Sequence, residues 1–553
     1  MTSGYAIATL VVFIISIIFV IRPVTIPTPR HLPRIPINLT TAPILAIALL
    51  WAAQCLDPAV IRNGIVGTEG IKPYNILILF FSLAYMAITL DITGVLEAAA
   101  FWVSNKGGRN GWKLYLCFYI MLTLLSILLS NDPVVLSGTV FLVYYAKAAE
   151  LDSWTWIMAE FAAANTATLM LFVRNPTNVV MREGFGVDNA AFIPYIILPF
   201  LACNVFCFIT LAFQYRNQAP KRSTCIIDRD PRSALLDPFG AWVGSVMFGA
   251  TLILCPVAMF LGVDVWMISL PFAVSKILFD LAWDHYRYTH HIPMLGRGSP
   301  GADEGADRRA TVDEDQRAED TACYCPSPDE EQPRFSLLHE EAVFPSCPEP
   351  PKLETRPQPS TPEANIKTPH VSRRLRSQMD YLYDQLDARF PTFTTALPQL
   401  PFPLIPLVLS QCILIEALSH QGLVELFADW LIRASGNRIH PTIWLISVLG
   451  FMPCNLSGTN IGVTILLTKV VRAAALPYDA NRAAAIALAV TSNVAAVTFA
   501  FSAWPGGLLC RVILRLKGQR NSALWSLLPI LVMASVGFGI VSAGVAFDRD
   551  GTT

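Results

Sequence analysis

Charge is scarce in this sequence. Asp, Glu, Lys and Arg make up 15% of its 553 residues, where a soluble globular domain carries about 25%. The few charges balance, 40 basic against 41 acidic side chains, so no basic field is available for nucleic acid and no nucleic-acid partner is expected. The phosphate cradle GxxxxGK[ST], the zinc helix HExxH, the nucleophile elbow GxSxG and any His-rich cluster are also missing. Those absences count against a membrane enzyme. Its 12 cysteines show no zinc spacing, and the close pairs Cys203/Cys207 and Cys323/Cys325 fit no metal pattern. Neither a metal nor a cofactor is expected.

Apolar residues are plentiful. They make up 54% of the chain, with a mean hydropathy of +0.49. A bilayer core of about 30 Å takes ~20 apolar residues as a helix. Candidate spans are 5–22, 41–56, 73–90, 113–130, 133–147, 155–173, 192–213, 238–261 and 265–281, then 397–418, 441–452, 461–471, 483–503 and 522–545. Residues 5–22 lack a preceding basic stretch and a small-residue cleavage site, which reads as a membrane helix rather than a leader. Several spans are too short to cross alone. Irregular backbone survives at membrane depth only when buried in protein or lining a wet cavity, so short interrupted segments point to a site.

Lys and Arg bias sets the orientation. The loops 23–40, 91–112, 214–237 and 504–521 are basic. All four share the cytoplasmic side if 113–147 and 441–472 are re-entrant hairpins. The resulting fold class is an all-α polytopic membrane protein of about ten crossings, an inverted-repeat secondary transporter with two re-entrant hairpins and broken helices. Asn38-Leu39-Thr40 would be a glycosylation sequon only if its loop faced a lumen. The expected organisation is N-terminal helices over 1–71, a first repeat over 72–281, a charged Pro-rich linker over 282–395, a second repeat over 396–545 and a tail over 546–553. Residues 293–375 are too polar to bury a core and read as disordered. Residues 376–391 read either as a short surface helix or as more linker.

The internal repeat is the sharpest signal. SILLSNDPVVLSGTVFLVYYAKAA and MAEFAAANTATLMLFVRNPTNVVMREG in one half answer to VLGFMPCNLSGTNIGVTILLTKVVRAA and AIALAVTSNVAAVTFAFSAWPGGLLCRVIL in the other. Each half has an Asn-bearing break, an apolar arm and then a second helix with its own Asn. Asn131 precedes Asn165, and Asn460 precedes Asn493. An unpaired amide in hydrocarbon is costly, so such residues face a cavity or one another. The substrate candidates are Asn131, Ser137, Asn165, Thr166, Asn175, Thr177 and Asn178, with Asn455, Ser457, Thr459, Asn460, Ser492, Asn493 and Ser502. Pro176 breaks the helix at Asn175-Pro176-Thr177-Asn178 and frees backbone groups. Neutral amides, hydroxyls and half-helix N-termini suit a small oxyanion or a neutral hydroxylated solute. Asp132 at the first hairpin tip is the leading ion-coupling group, for a proton or Na⁺, and Asp91 is the second. Glu160 is a weaker candidate. Arg174 beside the break could meet an anion or an acidic partner, and Cys454 could meet a soft metalloid.

At these residues the chain resembles the arsenite/antimonite efflux permeases of the ion-transporter superfamily, whose fold also serves citrate and Na⁺/H⁺ carriers. The likeness rests on LDITGVLE (90–97), NDPVVLSGT (131–139), FAAANTATLMLFVRNPTNVV (161–180) and TSNVAAVTFAFSA (491–503). Two of these forms resemble the fungal branch, which implies a plasma or vacuolar membrane. The resemblance implies export of trivalent arsenic or antimony driven by a proton gradient or the membrane potential. Lipid and a small anion are the implied partners, and a homodimer is compatible with it. The family's paired-Asn tip is replaced here by Asn131-Asp132-Pro133, and Arg174 stands where a neutral residue is usual. A carboxylate or Na⁺/H⁺ carrier and a membrane scaffold acting through the linker are the rival functions.

Overall fold

The computed structural model describes residues 4–21, 24–26, 35–68, 70–107, 110–129, 131–148, 151–170, 176–185, 189–217, 230–261, 263–292, 383, 385–457, 460–494, 537, 539 and 541. The chain forms two units, Met1–Gly296 with Leu386–Thr553, and Arg297–Gln385. The 293–375 segment read as disordered lies outside the described residues.

The described residues are almost entirely helical. The first helices are α1 (Gly4–Ile21), α2 (Thr41–Ala52), α3 (Pro58–Val66), α4 (Pro73–Ile92) and α5 (Val95–Gly107). They are followed by α6 (Gly111–Leu129), α7 (Asn131–Ala148), α8 (Ser153–Ala167), α9 (Pro176–Phe185) and α10 (Asn189–Gln214). The series continues with α11 (Pro238–Phe260), α12 (Trp266–Thr289), α13 (Pro391–Gln399) and α14 (Leu404–His420). It closes with α15 (Leu423–Ser435), α16 (Ile439–Ser457), α17 (Asn460–Ala473) and α18 (Tyr478–Val494). A two-stranded antiparallel ribbon, Val24–Ile26 with Ile35–Ile37, joins α1 to α2. Asn38 caps α2, its Oδ1 accepting from the backbone N–H groups of Thr40 and Thr41 at 3.1 and 3.2 Å. The sequon asparagine is therefore a helix cap.

Among the described residues, six stretches are long and apolar enough to cross a membrane. They are Pro73–Ile92, Gly111–Leu129, Ile196–Gln214, Pro238–Cys255, Trp266–Thr289 and Pro391–His420. Large apolar side chains such as Trp242, Ile253 and Leu278 are exposed on their outward faces. This is an all-α polytopic membrane protein.

Three features differ from the sequence expectation. Residues 95–107 and 423–435, expected as loops, are the helices α5 and α15. Leu96, Ala100 and Val103 form the buried stripe of α5, and Val424, Ala428 and Leu431 that of α15. Half-polar helices of this length average out in a hydropathy window. Helix α12 runs to Thr289, past the expected end at 281. Its added turns are polar, yet Asp284 and Arg287 are buried. Residues 391–395, expected as linker, begin α13 inside the bundle. Asp284 holds this start, accepting from Thr392 N at 2.8 Å and Thr392 Oγ1 at 2.9 Å.

The helices repeat in order. Helices α4 and α14 each end in a left-handed glycine, Gly94 (φ 86°) and Gly422 (φ 73°). Each then turns into a 13-residue helix. Next come the hairpins α6–α7 and α16–α17. Both arms of each hairpin pack on the helix that follows, α8 or α18. The contacts also cross between halves. Helix α4 packs against α11, α12 and α13, while α14 packs against α1, α2 and α3. With the second half counted from α11 rather than from the expected boundary at 396, each half lends its fourth helix to the other half's first three.

Candidate functional site

Every residue of α8 is buried. Its N-terminus is capped by Asp152, which accepts from Thr155 N at 3.2 Å and Thr155 Oγ1 at 2.8 Å. Ala162, Ala163 and Ala164 let neighbouring helices approach closely. Helix α18 is built the same way, with Ala483 to Ala485, Ala487 and Ala489 fully buried. The repeat extends to single bonds. Asn165 Nδ2 donates to Phe161 O at 2.8 Å, and Asn493 Nδ2 donates to Ala489 O at 2.8 Å.

The two halves meet in a closed ring of uncharged groups. Thr168 Oγ1 lies 2.8 Å from Asn493 Oδ1 and 2.6 Å from Asn165 O, so its single proton serves both acceptors. Asn493 Nδ2 donates to Asn178 Oδ1 at 2.9 Å. Asn178 Nδ2 donates to Thr168 O at 3.3 Å, which closes the circuit. Asn178 comes from the first turn of α9, just after the Pro176 break. Both asparagines are buried, where an unmet amide would be costly and a satisfied network fixes geometry.

The second hairpin joins this ring. Asn460, the first residue of α17, donates from Nδ2 to Ser492 O at 3.0 Å. Ser492 Oγ donates to Ala489 O at 3.2 Å. Asn165 and Asn460 each keep their Oδ1 free of any donor among the described residues. Thr166 Oγ1 lies 3.0 Å from Asn204 Oδ1, and Tyr119 OH donates to Asn204 O at 3.2 Å. Thr177 is fully buried beside Asn178.

The structure therefore brings together Asn165, Thr166, Thr177, Asn178, Asn460, Ser492 and Asn493. Asn175, Thr459, Ser502 and Arg174 lie outside the described residues. Asn131, Asp132 and Ser137 are placed on α7, and Asn455 and Ser457 on α16, as backbone only. Asp91 sits half-buried in the last turn of α4, whose reversal runs through Gly94 N to Asp91 O at 2.8 Å. It adds no atom to the ring. Cys454 is buried in α16 as a free thiol. Asn204 was not among the candidates. Its signal was a single amide in the middle of the apolar run of α10.

The ion pairs among the described residues sit apart from the ring. Lys276 and Asp280 pair one turn apart on α12, and Tyr85 OH of α4 donates to Asp280 Oδ2 at 3.1 Å. Arg287 meets Asp237 at 3.3 Å. Lys469 of α17 meets Glu416 of α14 at 2.6 Å and Thr68 Oγ1 at 2.9 Å. The first pair faces α4 through Tyr85, the second ties α12 to the residue before α11, and the third ties α17 to α14.

Residues 6–286, just over half of the chain, match the CitMHS family, described as citrate transporters. The arsenical pump membrane protein of Escherichia coli strain K12 is 26% identical over 194 residues, 34% of this chain and 45% of that relative. That of Yersinia enterocolitica is 25% identical over 194 residues, with the same coverage. The chain spans less than half the length of these curated relatives. A solved structure, the YdaH transporter of Alcanivorax borkumensis, covers 98% of this chain and 96% of its own at 12% identity and a TM-score of 0.46. The relatives are membrane transporters and not enzymes. With its apolar helices, reciprocally paired halves and family match, this multi-pass integral membrane protein belongs to the CitMHS citrate transporter family.

Proposed function

We propose that the chain is a secondary active transporter that exports trivalent arsenic or antimony by alternating access, driven by a proton gradient or the membrane potential. The uncharged ring that joins the two halves carries this reading. Arsenite at neutral pH is a small neutral trihydroxide. Free carbonyl oxygens at Asn165 and Asn460 suit its hydroxyl donors. A citrate trianion would call for cations, and the described ring contains none. The likeness to arsenical pump membrane proteins supports the same choice.

On this reading Asn131, Ser137, Asn175, Asn455, Ser457, Thr459 and Ser502 complete the substrate path beside the ring. The two hairpins act as its gates, entering from opposite faces as an inverted repeat. Asp132 and Asp91 are the carboxylates assigned to ion coupling from the sequence. A second reading, a carboxylate carrier, is favoured by the family description over 6–286 and by Arg174 beside the NPTN break.

The test is arsenite accumulation in cells stripped of their own efflux, with and without the protein and its Asn493→Ala variant. Lower accumulation with the wild type, lost in the variant, is the expected result. Unchanged accumulation with confirmed surface expression would reject arsenite. Citrate uptake into vesicles would then separate the second reading from none.

A further inference from the structure

Outside the ring, the buried acid Glu160 has no ion-pair partner among the described residues. Glu160 lies on α8 and is fully buried. Thr139 Oγ1, on the hairpin arm α7, donates to its Oε2 at 2.8 Å. Its other oxygen, Oε1, is buried and has no hydrogen-bond partner among the described residues. Position 138 of α7 is glycine, and a Cβ there would collide with Glu160 Oε1. The carboxyl group is thus pressed onto the bare backbone of the hairpin arm, in space that only Gly138 leaves open.

The elements packed on α8 carry no described charge to balance it. They are α6, α7, α10 and α18. Lys113 is exposed in the first turn of α6, and Asp479 and Arg482 belong to the first turns of α18, far from its Asn493 end. The remaining described titratable groups on these helices are the phenols Tyr115, Tyr119, Tyr145 and Tyr478 and the thiols Cys117, Cys203 and Cys207, none of which is a cation. On α8 itself the nearest acid is the cap Asp152, eight residues earlier. In the second half the position matching Glu160, five residues before the ring asparagine, is Leu488.

We infer that Glu160 is the proton-binding site of the transport cycle, holding a proton while the first hairpin is packed on α8 and releasing it when the hairpin parts from α8. This rests on the transport reading given above and places the proton on a third carboxylate rather than on Asp132 or Asp91. A buried carboxylate with no cation is held as the acid. Oε2 then accepts from Thr139 as a carbonyl, and Oε1 carries the proton towards Gly138. A sodium ion would need several oxygens around it, and Thr139 supplies the one described oxygen partner. Parting α7 from α8 admits water to the carboxyl group. The O–H bond breaks, the proton passes to water, and the carboxylate is stabilised by hydration. Repacking requires its return. Asn165 lies five residues further along α8, about 7.5 Å up the axis and on a different face. Proton and substrate therefore occupy separate sites on one helix, and each cycle carries one such proton per chain.

The full-length protein in lipid vesicles tests this in two ways. Infrared spectra at neutral pH, wild type minus Glu160→Gln, should show the carbonyl stretch of a protonated carboxyl group. Their identity would overturn the assignment whatever the substrate is. Arsenite, and citrate in parallel, should then be followed in equilibrium exchange and in accumulation driven by an imposed pH gradient, with an entrapped pH dye reading proton flux. Glu160→Gln should keep exchange, lose gradient-driven accumulation and lose the coupled proton flux. Glu160→Asp should keep all three with a displaced pH profile. Gradient-driven accumulation by Glu160→Gln at the wild-type level, or its loss of exchange as well, would overturn the proposal. Failure of the wild type to exchange either solute would reject the substrate reading alone, and the infrared difference would still decide Glu160.

Discussion

Single amides do different work in this protein according to where their hydrogen bonds go. Asn493 spends both N–H groups, on Ala489 O and Asn178 Oδ1, and presents Oδ1 to Thr168. Its replacement by Ala takes the donor from the buried Asn178 Oδ1 and leaves Thr168 with Asn165 O alone, which costs about 1–3 kcal/mol. The thermal midpoint of purified Asn493→Ala in detergent should fall, and transport with it. Asn165 ties itself to its own helix and leaves Oδ1 open. Asn165→Ala should cost less than ~1 kcal/mol of stability and still reduce arsenite transport. Comparing melting with flux across the two variants separates holding the ring from meeting the substrate. The Asn residues were legible in the sequence because they recur at matched distances in two halves. Asn204 and Glu160 were not ranked with them, because one polar residue in one apolar helix makes no pattern. Their weight comes from Tyr119, Thr166, Thr139 and Gly138 across the contact, which spacing along the chain does not reveal.

At the scale of elements, the two glycine reversals invite a direct comparison. Ala at either position must adopt a left-handed backbone, at about 1–2 kcal/mol. At Gly422 nothing lies within 4 Å of the added methyl group. At Gly94 that methyl group would strike the carbonyl oxygen of Ala234. Gly94→Ala should therefore lower the melting temperature more than Gly422→Ala does. The duplication of these reversals was present in the sequence as Gly94-x2-Glu97-x4-Trp102 and Gly422-x2-Glu425-x4-Trp430. Hydropathy passed over it because α5 and α15 are amphipathic. The same blindness cut α12 short at 281, since its last turns bury charge through partners on other helices. Asp280→Ala leaves Lys276 buried and alone and removes the acceptor of Tyr85. That should cost about 3–5 kcal/mol, read as loss of folded protein in detergent. Pairing Lys276→Met with Asp280→Leu should recover most of it.

At the scale of the whole molecule, the helical membrane class and the family were readable from composition and motifs. The reciprocal exchange of α4 and α14 was not, because it depends on contacts between segments more than a hundred residues apart. Removing residues 300–375 should leave arsenite transport at the wild-type level, since that stretch belongs to the second unit, Arg297–Gln385. Loss of transport with intact insertion would instead favour the scaffold reading.

The exchange also orders the birth of the protein. Helix α4 leaves the ribosome well before α11, α12 and α13 exist to receive it. Until they arrive, Tyr85 and the rest of its packing face look out on lipid, while the seat of α14 beside α1–α3 stands vacant. The nascent chain thus passes through a stage with one guest unhoused and one seat empty. A chain truncated after residue 217, before α11, is held in that stage for good, and cellular quality control should degrade it. Supplying residues 218–553 as a second polypeptide should rescue it, because each fragment carries what the other lacks.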